Sequence, residues 1–360
     1  MTPHERLTAC MNYRPTDRPP LWEWGPWPST LERWQREGLG EDERPPELQE
    51  CDAKGWVGVD QWMRPRYETH LLAEDERTVT RRTEFGVVMR ELKTPDTIFM
   101  PQHMDWPVRS RTDWRELKSR FDPDDPGRFP PDWSDHCRDW RTRGPVVDFH
   151  GRRMPSLFGF VREIMGPERA LTSFYDDPVL VEDIMEHMTC FYEGLLNRIL
   201  DDAPLTCISF WEDMCYRNGP LISPAMFRQY MSPRYRRITE LARGRGVEVI
   251  MVDSDGDVDQ LIPLWIESGV NCIYPMEVAA GMDVVALRRK YGRDLRMTGG
   301  IDKRVLAWDK RAIDAELSAK LPLAEDGGYI PHLDHAIPDD VPYKNFVYYW
   351  RRKKERLGIG

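Results

Sequence analysis

The sequence predicts an α/β protein, a single (β/α)₈ barrel domain over residues 1–360 with a β-hairpin inserted in the N-terminal third. Short apolar runs alternate with long amphipathic runs through the C-terminal part, which indicates parallel strands joined by helices. About eight such short runs are present, the number of strands that a barrel needs. No strand is followed by G-x-G-x-x-G, which disfavours an open dinucleotide-binding sheet, the alternative with the same alternation.

The predicted elements follow from periodicity. The eight predicted strands are residues 21–25, 56–60, 146–150, 206–211, 247–252, 270–274, 295–298 and 329–333. The predicted helices are residues 157–165, 178–199, 224–244, 258–267, 283–291, 310–320 and 343–354. Helix 178–199 is the clearest, because Val181, Ile184, Met188 and Leu195 recur at helical spacing. Residues 77–92 mix threonine, valine and charged residues around a Phe-Gly pair, which predicts the hairpin.

Composition excludes several classes of protein. Hydrophobic residues make up 40% and charged residues 31%, as in folded soluble proteins. The formal net charge of −10 disfavours nucleic-acid binding. No apolar run approaches the roughly 18 residues of a membrane span, and the N-terminal segment does not read as a signal peptide, so we expect a cytoplasmic protein. Seven scattered cysteines without a C-x-x-C pair indicate free thiols.

Polar residues cluster where the predicted strands end. Active sites of such barrels are built at the carboxyl ends of the strands, so these residues are the candidates for function. They are Glu23, Asp60, His150, Glu212, Asp213, Asp253, Asp255, Asp257, Glu277, Asp302, His332, Asp334 and His335.

The acidic excess at these ends favours a cation. Carboxylates held close together repel one another unless a proton or metal intervenes. We therefore expect a divalent metal held by Asp253, Asp255 and His335, with Glu277 or His332 nearby. The alternative is that the two aspartates cap a helix that starts near residue 258.

The remaining candidates have competing explanations. Glu212 and Asp213 face either the site or solvent, and His332 is either a site residue or a hydrogen-bonded structural histidine. Early tryptophans, Trp24 among them, are expected in the core or in a pocket wall. Arg162 lies in a predicted helix, where a surface ion pair with Glu163 would also explain it.

Five runs together resemble the uroporphyrinogen decarboxylase superfamily, which also holds cobalamin-dependent methyltransferases and O-demethylase components. The runs are MTPHERLTACMNYRPTDRPP, FWEDMCYRNGPLISPAMFRQYMSPRYRRI, VNCIYPMEVAAGMD, LRMTGGIDKRVL and GGYIPHLDHAIPDDVPYKNFVYYW. The resemblance covers nearly the whole chain and implies a (β/α)₈ barrel, which agrees with the strand count.

The resemblance assigns roles to several residues. It places His335 at the family's active-site histidine and Asp60 at its central aspartate, and it moves Arg162 toward the pocket. The decarboxylases carry arginines after the first strand, whereas this chain has Glu23 and tryptophans, so an anionic tetrapyrrole is not the expected substrate. The expected substrate-binding residues are Glu23, Trp24, Asp60, His150, Arg162 and His332.

The resemblance also bears on the metal. Zinc methyltransferases of the superfamily use a His-x-Cys pair and a late cysteine, and the matching positions here are Asp253, Asp255 and His335. Carboxylate and imidazole ligands still suit zinc, the metal we expect, but also manganese or iron. They favour an oxygen-bearing substrate over a thiol.

Three hypotheses for the function follow. In the first, the enzyme moves a methyl group from a small methylated substrate, such as a methyl ether, to cobalamin carried by a separate corrinoid protein. The metal acts as a Lewis acid, and Glu212, Asp213, Glu277 or His335 carries out the proton chemistry. The alternatives are a metal-dependent decarboxylase or lyase acting on a small carboxylate, and a non-catalytic ligand-binding protein. A homodimer is left open.

Overall fold

The computed structural model of the protein describes residues 1–40, 45–93 and 101–360. Its strands, numbered in chain order, are β1 (Lys54–Trp56), β2 (His70–Glu74), β3 (Thr78–Arg82), β4 (Val88–Leu92), β5 (Gln102–Asp105), β6 (Val146–Phe149), β7 (Cys207–Trp211), β8 (Cys215–Tyr216), β9 (Gly219–Pro220), β10 (Val249–Asp253), β11 (Cys272–Tyr274), β12 (Arg296–Ile301) and β13 (Tyr329–Leu333). Seven of them form one curled parallel sheet in the order β1-β6-β7-β10-β11-β12-β13. The predicted mixed α/β fold with a parallel sheet is therefore confirmed, with seven strands among the described residues.

The first predicted strand, residues 21–25, is not a strand in the structure. Its chain is extended beside the sheet, where the Leu21 carbonyl accepts a hydrogen bond from the Asp52 amide and the Gly25 carbonyl accepts one from the Ile337 amide. Prolines at positions 19, 20, 26 and 28 flank the segment and have no amide hydrogen to contribute to a ladder. The second predicted strand, residues 56–60, is replaced by β1, which ends two residues before the left-handed Gly58.

The segment for which the sequence predicted one hairpin belongs to a larger antiparallel sheet. Strands β3 and β4 pair antiparallel and are flanked by β2 and β5, so the sheet has four strands. Both outer strands contain exposed apolar side chains, Leu71 and Leu72 in β2 and Met104 in β5. This sheet lies between β1 and β6 in the sequence.

Helices follow most strands of the parallel sheet. They are α1 (Pro3–Met11), α2 (Pro28–Trp34), α3 (Pro46–Gln49), α4 (Arg111–Lys118), α5 (Trp133–Arg143), α6 (Phe158–Met165), α7 (Pro167–Asp176), α8 (Pro178–Asp202), α9 (Pro224–Met226), α10 (Ser232–Gly244), α11 (Ile262–Glu267), α12 (Val284–Tyr291), α13 (Lys310–Lys320) and α14 (Tyr343–Arg356). The predicted helix 224–244 is interrupted by a π-helical turn, Phe227–Met231, between α9 and α10. No helix in the described part of the chain is both long enough and apolar enough to cross a membrane.

Helix α8 shows how the sequence builds the outer layer. Asp177 caps its amino end by accepting a hydrogen bond from the Leu180 amide, and Pro178 begins the helix, where its missing amide hydrogen is not needed. Ile184, Met188 and Leu195 lie on one face and are fully buried in the core. The apolar residues that recur with the predicted period of 3.6 therefore form one buried stripe along the helix.

The amino end of the sheet is closed by α1. Leu7 and Met11 of this helix pack in one cluster with Val146, Cys207 and Val249, which begin β6, β7 and β10. Because apolar side chains fill this end, a ligand cannot enter the interior of the curled sheet from the side of α1.

Candidate active site

A cavity of about 610 Å³ lies at the carboxyl side of the parallel sheet. Residues at or next to the ends of five strands line it, as expected for this fold. The lining includes Trp22, Trp24, Lys54, Trp56, His150, Asp253, Tyr274, Thr298 and His332. The wall thus combines tryptophan and tyrosine rings with several polar and charged groups, Glu23, Gln49 and Asp52 among them.

The two histidines of the cavity differ in whether a ring nitrogen stays free to contact a ligand. His332 Nδ1 lies 2.7 Å from the Leu333 carbonyl and Nε2 lies 3.0 Å from the Thr298 hydroxyl, so both ring nitrogens are engaged. Burial lowers the pKa of His332 to about 4, which keeps the ring neutral. His150 Nδ1 lies 2.9 Å from the Ser209 carbonyl, which can only accept, so in the neutral ring Nε2 is the acceptor. Burial lowers the pKa of His150 as well.

Lys54 of the cavity lining pairs with Asp148, which is fully buried and lies outside the lining. Lys54 Nζ is 3.1 Å from Asp148 Oδ2, and the Ser209 hydroxyl donates to the same oxygen at 2.7 Å. Lys54 also lies 4.7 Å above the ring of Trp22. Burial lowers the pKa of Lys54, but the charge and hydrogen bond of Asp148 act together with Cys207 and Asp253, and the net shift is upward. The ammonium group is therefore charged at neutral pH.

Asp253 brings a carboxyl group with a raised pKa to the cavity wall. It ends β10, where it is half-buried, and desolvation together with the nearby carboxylates of Asp255 and Asp213 raises its pKa well above the usual range. Lys54 has the opposite but weaker effect. An acid that stays protonated in a cavity can donate a hydrogen bond or a proton to a ligand.

The predicted acidic cluster is present at the rim of the cavity. Burial, Asp213 and Glu277 raise the pKa of Asp255 to about 7. Asp255 Oδ2 lies 3.8 Å from His335 Nε2, and Glu277 accepts a hydrogen bond from the Gly256 amide. The alternative that Asp253 and Asp255 cap a helix is not supported, because α11 begins at Ile262 without a side-chain cap.

His335 is held between two tryptophans. Its ring stacks on Trp24 and on Trp27, with centroid distances of 5.9 Å in both cases. Burial and the positive charge of Lys303 lower its pKa, while Glu277 raises it. The histidine is thus fixed in orientation at the mouth of the cavity, beside the Asp255 carboxyl group.

The three predicted metal ligands are not assembled into one set. Asp255 Oδ2 and His335 Nε2 approach each other to 3.8 Å, and Asp253, which interacts electrostatically with Asp255, lines the cavity. Among the described residues, no group of three or more histidine, cysteine, aspartate or glutamate side chains is arranged to hold a metal ion. The arrangement therefore brings two of the three expected ligands, Asp255 and His335, next to each other.

Glu212 has a different position from the one predicted. Its side chain is fully buried, and its carboxylate accepts hydrogen bonds from the Leu157 and Gly159 amides and from Tyr235. Burial raises its pKa, and these hydrogen bonds oppose that shift. Because its oxygens are engaged by the start of α6 and by α10, Glu212 stabilises the fold and is not a proton donor to the cavity.

Glu23 is also held by the protein itself. Its carboxylate contacts Lys353 Nζ at 2.8 Å, the Leu333 amide at 2.8 Å and the Tyr349 hydroxyl at 2.6 Å. Although it borders the cavity, these contacts leave it little capacity to bind a substrate. Its structural effect is to anchor Trp24, the next residue, against β13 and α14.

The remaining predicted residues lie around the rim or away from it. Arg162 donates to the Asp213 carboxylate at 2.9 Å and lies 5.0 Å from the Trp211 ring, so the two predicted residues form one ion pair. Asp60 pairs with Arg66 at 2.8 Å and is absent from the cavity lining.

Sequence reasoning missed Lys54, Asp148 and Tyr274. Asp148 is a lone carboxylate inside an apolar strand, a signal that a buried partner must exist. Lys54 lies two residues before the predicted second strand, and in the structure it begins β1. If the predicted strand had started two residues earlier, it would have included this lysine in the sheet.

Comparisons with known proteins agree with the fold. A likeness to a methyltransferase from Methanosarcina mazei covers 99% of both chains with a TM-score of 0.58 and 13% identity, which supports a common fold. A protein assigned as a vitamin-B12 independent methionine synthase from Listeria monocytogenes covers 59% of this chain and 63% of its own with a TM-score of 0.32 and 10% identity, too low to support an argument. No curated protein matches significantly. The family model for uroporphyrinogen decarboxylase (URO-D) matches residues 157–355, more than half of the 360 residues, and the chain therefore belongs to the URO-D family.

Proposed function

We propose that this protein is a methyltransferase-type enzyme that moves a methyl group from a small methylated substrate, such as a methyl ether, to a corrinoid carrier on a separate protein. The observation that carries the proposal is the position of Asp253, a carboxyl group whose pKa is raised well above the usual range, in the wall of a tryptophan-lined cavity. The full-length likeness in fold to the methyltransferase from Methanosarcina mazei supports the reaction class.

The acid matches the chemical need of demethylation. When the carbon–oxygen bond of a methyl ether breaks, the methyl group leaves to the acceptor and the oxygen retains the electron pair. A proton delivered to that oxygen converts a poor alkoxide leaving group into an alcohol. Asp253 supplies this proton and becomes a carboxylate. The carrier, when bound, supplies the nucleophile that accepts the methyl group.

Two neighbours assist Asp253 in this step. The positive charge of Lys54 stabilises the carboxylate that forms, since it favours the ionised form of Asp253. Asp255, whose pKa is about 7, interacts electrostatically with Asp253 and has a partly exposed side chain, so it can return a proton after the reaction. The aromatic wall excludes water from the reacting carbon.

The direct test is a methyl-transfer assay. The protein is mixed with a cob(I)alamin carrier protein and a panel of methyl ethers, and the corrinoid absorbance is followed. We expect methylation of the corrinoid and release of the alcohol in equal amounts. A broad panel without any transfer, with the carrier shown to be active with another methyltransferase, would contradict the proposal.

The two alternative functions have less support. Lys54 is the cationic residue in the described cavity lining, and it is already paired with Asp148. A substrate carboxylate would therefore approach Asp148 and Glu23 without a free cation, which disfavours the decarboxylase or lyase. Release of carbon dioxide without a cobalt partner would support that alternative. A ligand that binds but is never converted would support a non-catalytic protein.

The rate should depend on pH through the carboxyl cluster. Because the proton donor must be protonated, we expect kcat to be highest below neutral pH and to fall as the pH rises through the pKa of Asp255, about 7, and beyond it. The apparent pKa belongs to the coupled cluster. Asp255→Asn removes a charge that raises the pKa of Asp253, so it should move the falling limb to lower pH. A rate that rises with pH would contradict the role of the acid.

The zinc ion stays a prediction, and metal analysis tests it. If zinc binds at the predicted residues, protein purified without chelator should contain about one zinc per chain by mass spectrometry, in keeping with the affinity of such sites. Asp255→Asn and His335→Gln should each release it, whereas Glu240→Gln on helix α10 should not. A dialysed protein without zinc, manganese or iron would contradict the metal site.

A further inference from the structure

A second cavity, of about 630 Å³, lies between the inserted antiparallel sheet and the loop that follows β6. The sheet contributes Arg81, Met89 and His103, which are neighbours in one row across β3, β4 and β5. The loop contributes Arg152 and Arg153. The described linings of this cavity and of the active-site cavity share no residue, so a molecule bound here occupies a separate site.

The loop holds its two arginines in an unfavourable backbone conformation. The φ angles of Arg152 and Arg153 are +48° and +68°, and the flanking Gly151 and Met154 exchange two backbone hydrogen bonds, of 2.9 and 3.1 Å. Two central residues with positive φ are the feature of a type I′ turn, where asparagine and glycine are preferred because other side chains strain the left-handed region. The backbone therefore disfavours arginine at both positions, and such strain is typical of ligand sites.

Both guanidinium groups have N–H donors without a partner in the described part of the chain. Arg152 contacts Glu84 at 3.3 Å and Arg153 contacts Glu163 at 3.2 Å, in each case through Nη1. The two arginine side chains are 67% and 52% exposed. A guanidinium has five N–H donors in a planar fork that fits a carboxylate. The donors on Nε and Nη2 of both arginines are therefore accessible to an anion.

The charges of the lining favour a ligand with a single negative charge. Three arginines, Arg81, Arg152 and Arg153, accompany two carboxylates, Glu84 and Glu163, so the formal balance is +1 with histidine counted as neutral. The whole chain has a formal net charge of −10, so this positive excess is local. A monoanion neutralises it, whereas a cation would be repelled by the arginines and a doubly charged phosphate would leave excess negative charge beside the glutamates.

Aromatic rings supply the apolar part of the lining. Trp62, Phe85 and Trp106 border the cavity, and the ring centroids of Trp62 and Phe85 lie 4.6 Å apart. His103 stacks on Trp106 with a centroid distance of 6.3 Å. Flat apolar groups pack well on such rings, and the volume of the cavity is in the range of small-molecule sites. The lining therefore suits a ligand whose body is a small aromatic ring.

We propose that this cavity is a second ligand site, which binds a small aromatic monocarboxylate. The carboxylate accepts hydrogen bonds from Arg152 and Arg153, and the ring packs against Trp62 and Phe85. The arginine turn begins directly after His150, which lines the active-site cavity, so one loop contributes to both sites. The proposal goes beyond methyl transfer and does not depend on it.

Matched probes test the site by calorimetry. They are benzoate, the neutral benzamide of similar shape, and cyclohexanecarboxylate, which keeps the charge but lacks the flat ring. We expect benzoate to bind at least about tenfold more tightly than benzamide and at least about threefold more tightly than cyclohexanecarboxylate. Failure of benzoate to bind, or equal affinity for benzoate and either comparison probe, would overturn the proposal.

The variant Arg152→Asn with Arg153→Gly separates ligand binding from folding. Asn-Gly is the preferred pair of a type I′ turn, so this variant should unfold at the same temperature or a higher one. We expect it to bind benzoate at least about tenfold more weakly. The single variants Arg152→Gln and Arg153→Gln should each weaken binding at least about threefold, and they decide the question if the turn variant does not fold. Undiminished affinity in folded variants would contradict the site.

Two further variants separate the proposed site from other positive charges. Arg138 forms an exposed ion pair with Asp135 on α5, and Arg138→Gln should leave benzoate affinity within about twofold. Lys54 is the cationic residue in the described lining of the active-site cavity, and Lys54→Met should also leave the affinity unchanged. A large loss in Lys54→Met would place the carboxylate in the active-site cavity and overturn the proposal. Benzoate binding together with no methyl transfer would support this site and contradict only the proposed function.

Discussion

Replacing Asp253 by asparagine is expected to lower kcat for methyl transfer by about 100- to 10,000-fold, the range for loss of a general acid. Asparagine has nearly the same shape but cannot give up a proton to the leaving oxygen. Because burial and the neighbouring carboxylates disfavour the charged form of Asp253, the fold should tolerate its replacement by a neutral amide. The measurement is the single-turnover rate of corrinoid methylation at saturating substrate.

The matched control is Asp257→Asn. Asp257 belongs to the same acidic turn, and its carboxylate accepts a hydrogen bond from the Asp259 amide, but it is not part of the cavity lining. Its substitution should leave kcat within about twofold, as for a surface change away from the reacting atoms. If Asp253→Asn raised KM and left kcat unchanged, Asp253 would bind the substrate in the ground state and would not act as the acid.

The position of a residue at a strand end was predictable, whereas the direction of its side chain was not. Asp253 and Glu212 both end apolar strands and both read as site residues. In the structure Asp253 lines the cavity, but Glu212 accepts hydrogen bonds from the start of α6. Their different directions depend on the turn at Asp213, whose φ is +43°, and on the tertiary contacts of α6. Neither the turn at Asp213 nor the contacts of α6 can be recognised from a local pattern in the sequence.

The parallel sheet was predictable because its strands are apolar and separated by helices of regular period. The prediction of a strand at residues 21–25 was wrong, because an apolar run does not show whether its backbone amides find hydrogen-bond partners in a neighbouring strand. The pair that Lys54 of the cavity lining forms with Asp148 was missed for a related reason. Asp148 and Lys54 are more than 90 residues apart in the sequence, and only the pairing of β1 with β6 makes them neighbours.

The buried ion pair between Glu23 and Lys353 should make a large contribution to stability. Both side chains are fully buried, and the pair joins the extended segment before α2 to the C-terminal helix α14. Lys353→Met is expected to lower the free energy of unfolding by about 3–5 kcal/mol, because it leaves a buried carboxylate without its cation. Urea unfolding followed by circular dichroism measures the change.

The adjacent lysine provides the comparison that tests this interpretation. Lys354 pairs with Glu50, whose side chain is 44% exposed, so Lys354→Met should cost only about 0–1 kcal/mol. Combining Glu23→Gln with Lys353→Met should cost less than the sum of the single changes, since the two side chains interact directly. Additive losses, or equal losses at Lys353 and Lys354, would show that the buried pair is not what holds the C-terminal helix. Because Glu23 also anchors Trp24 beside His335, a real loss of the pair should weaken substrate binding in the active-site cavity as well.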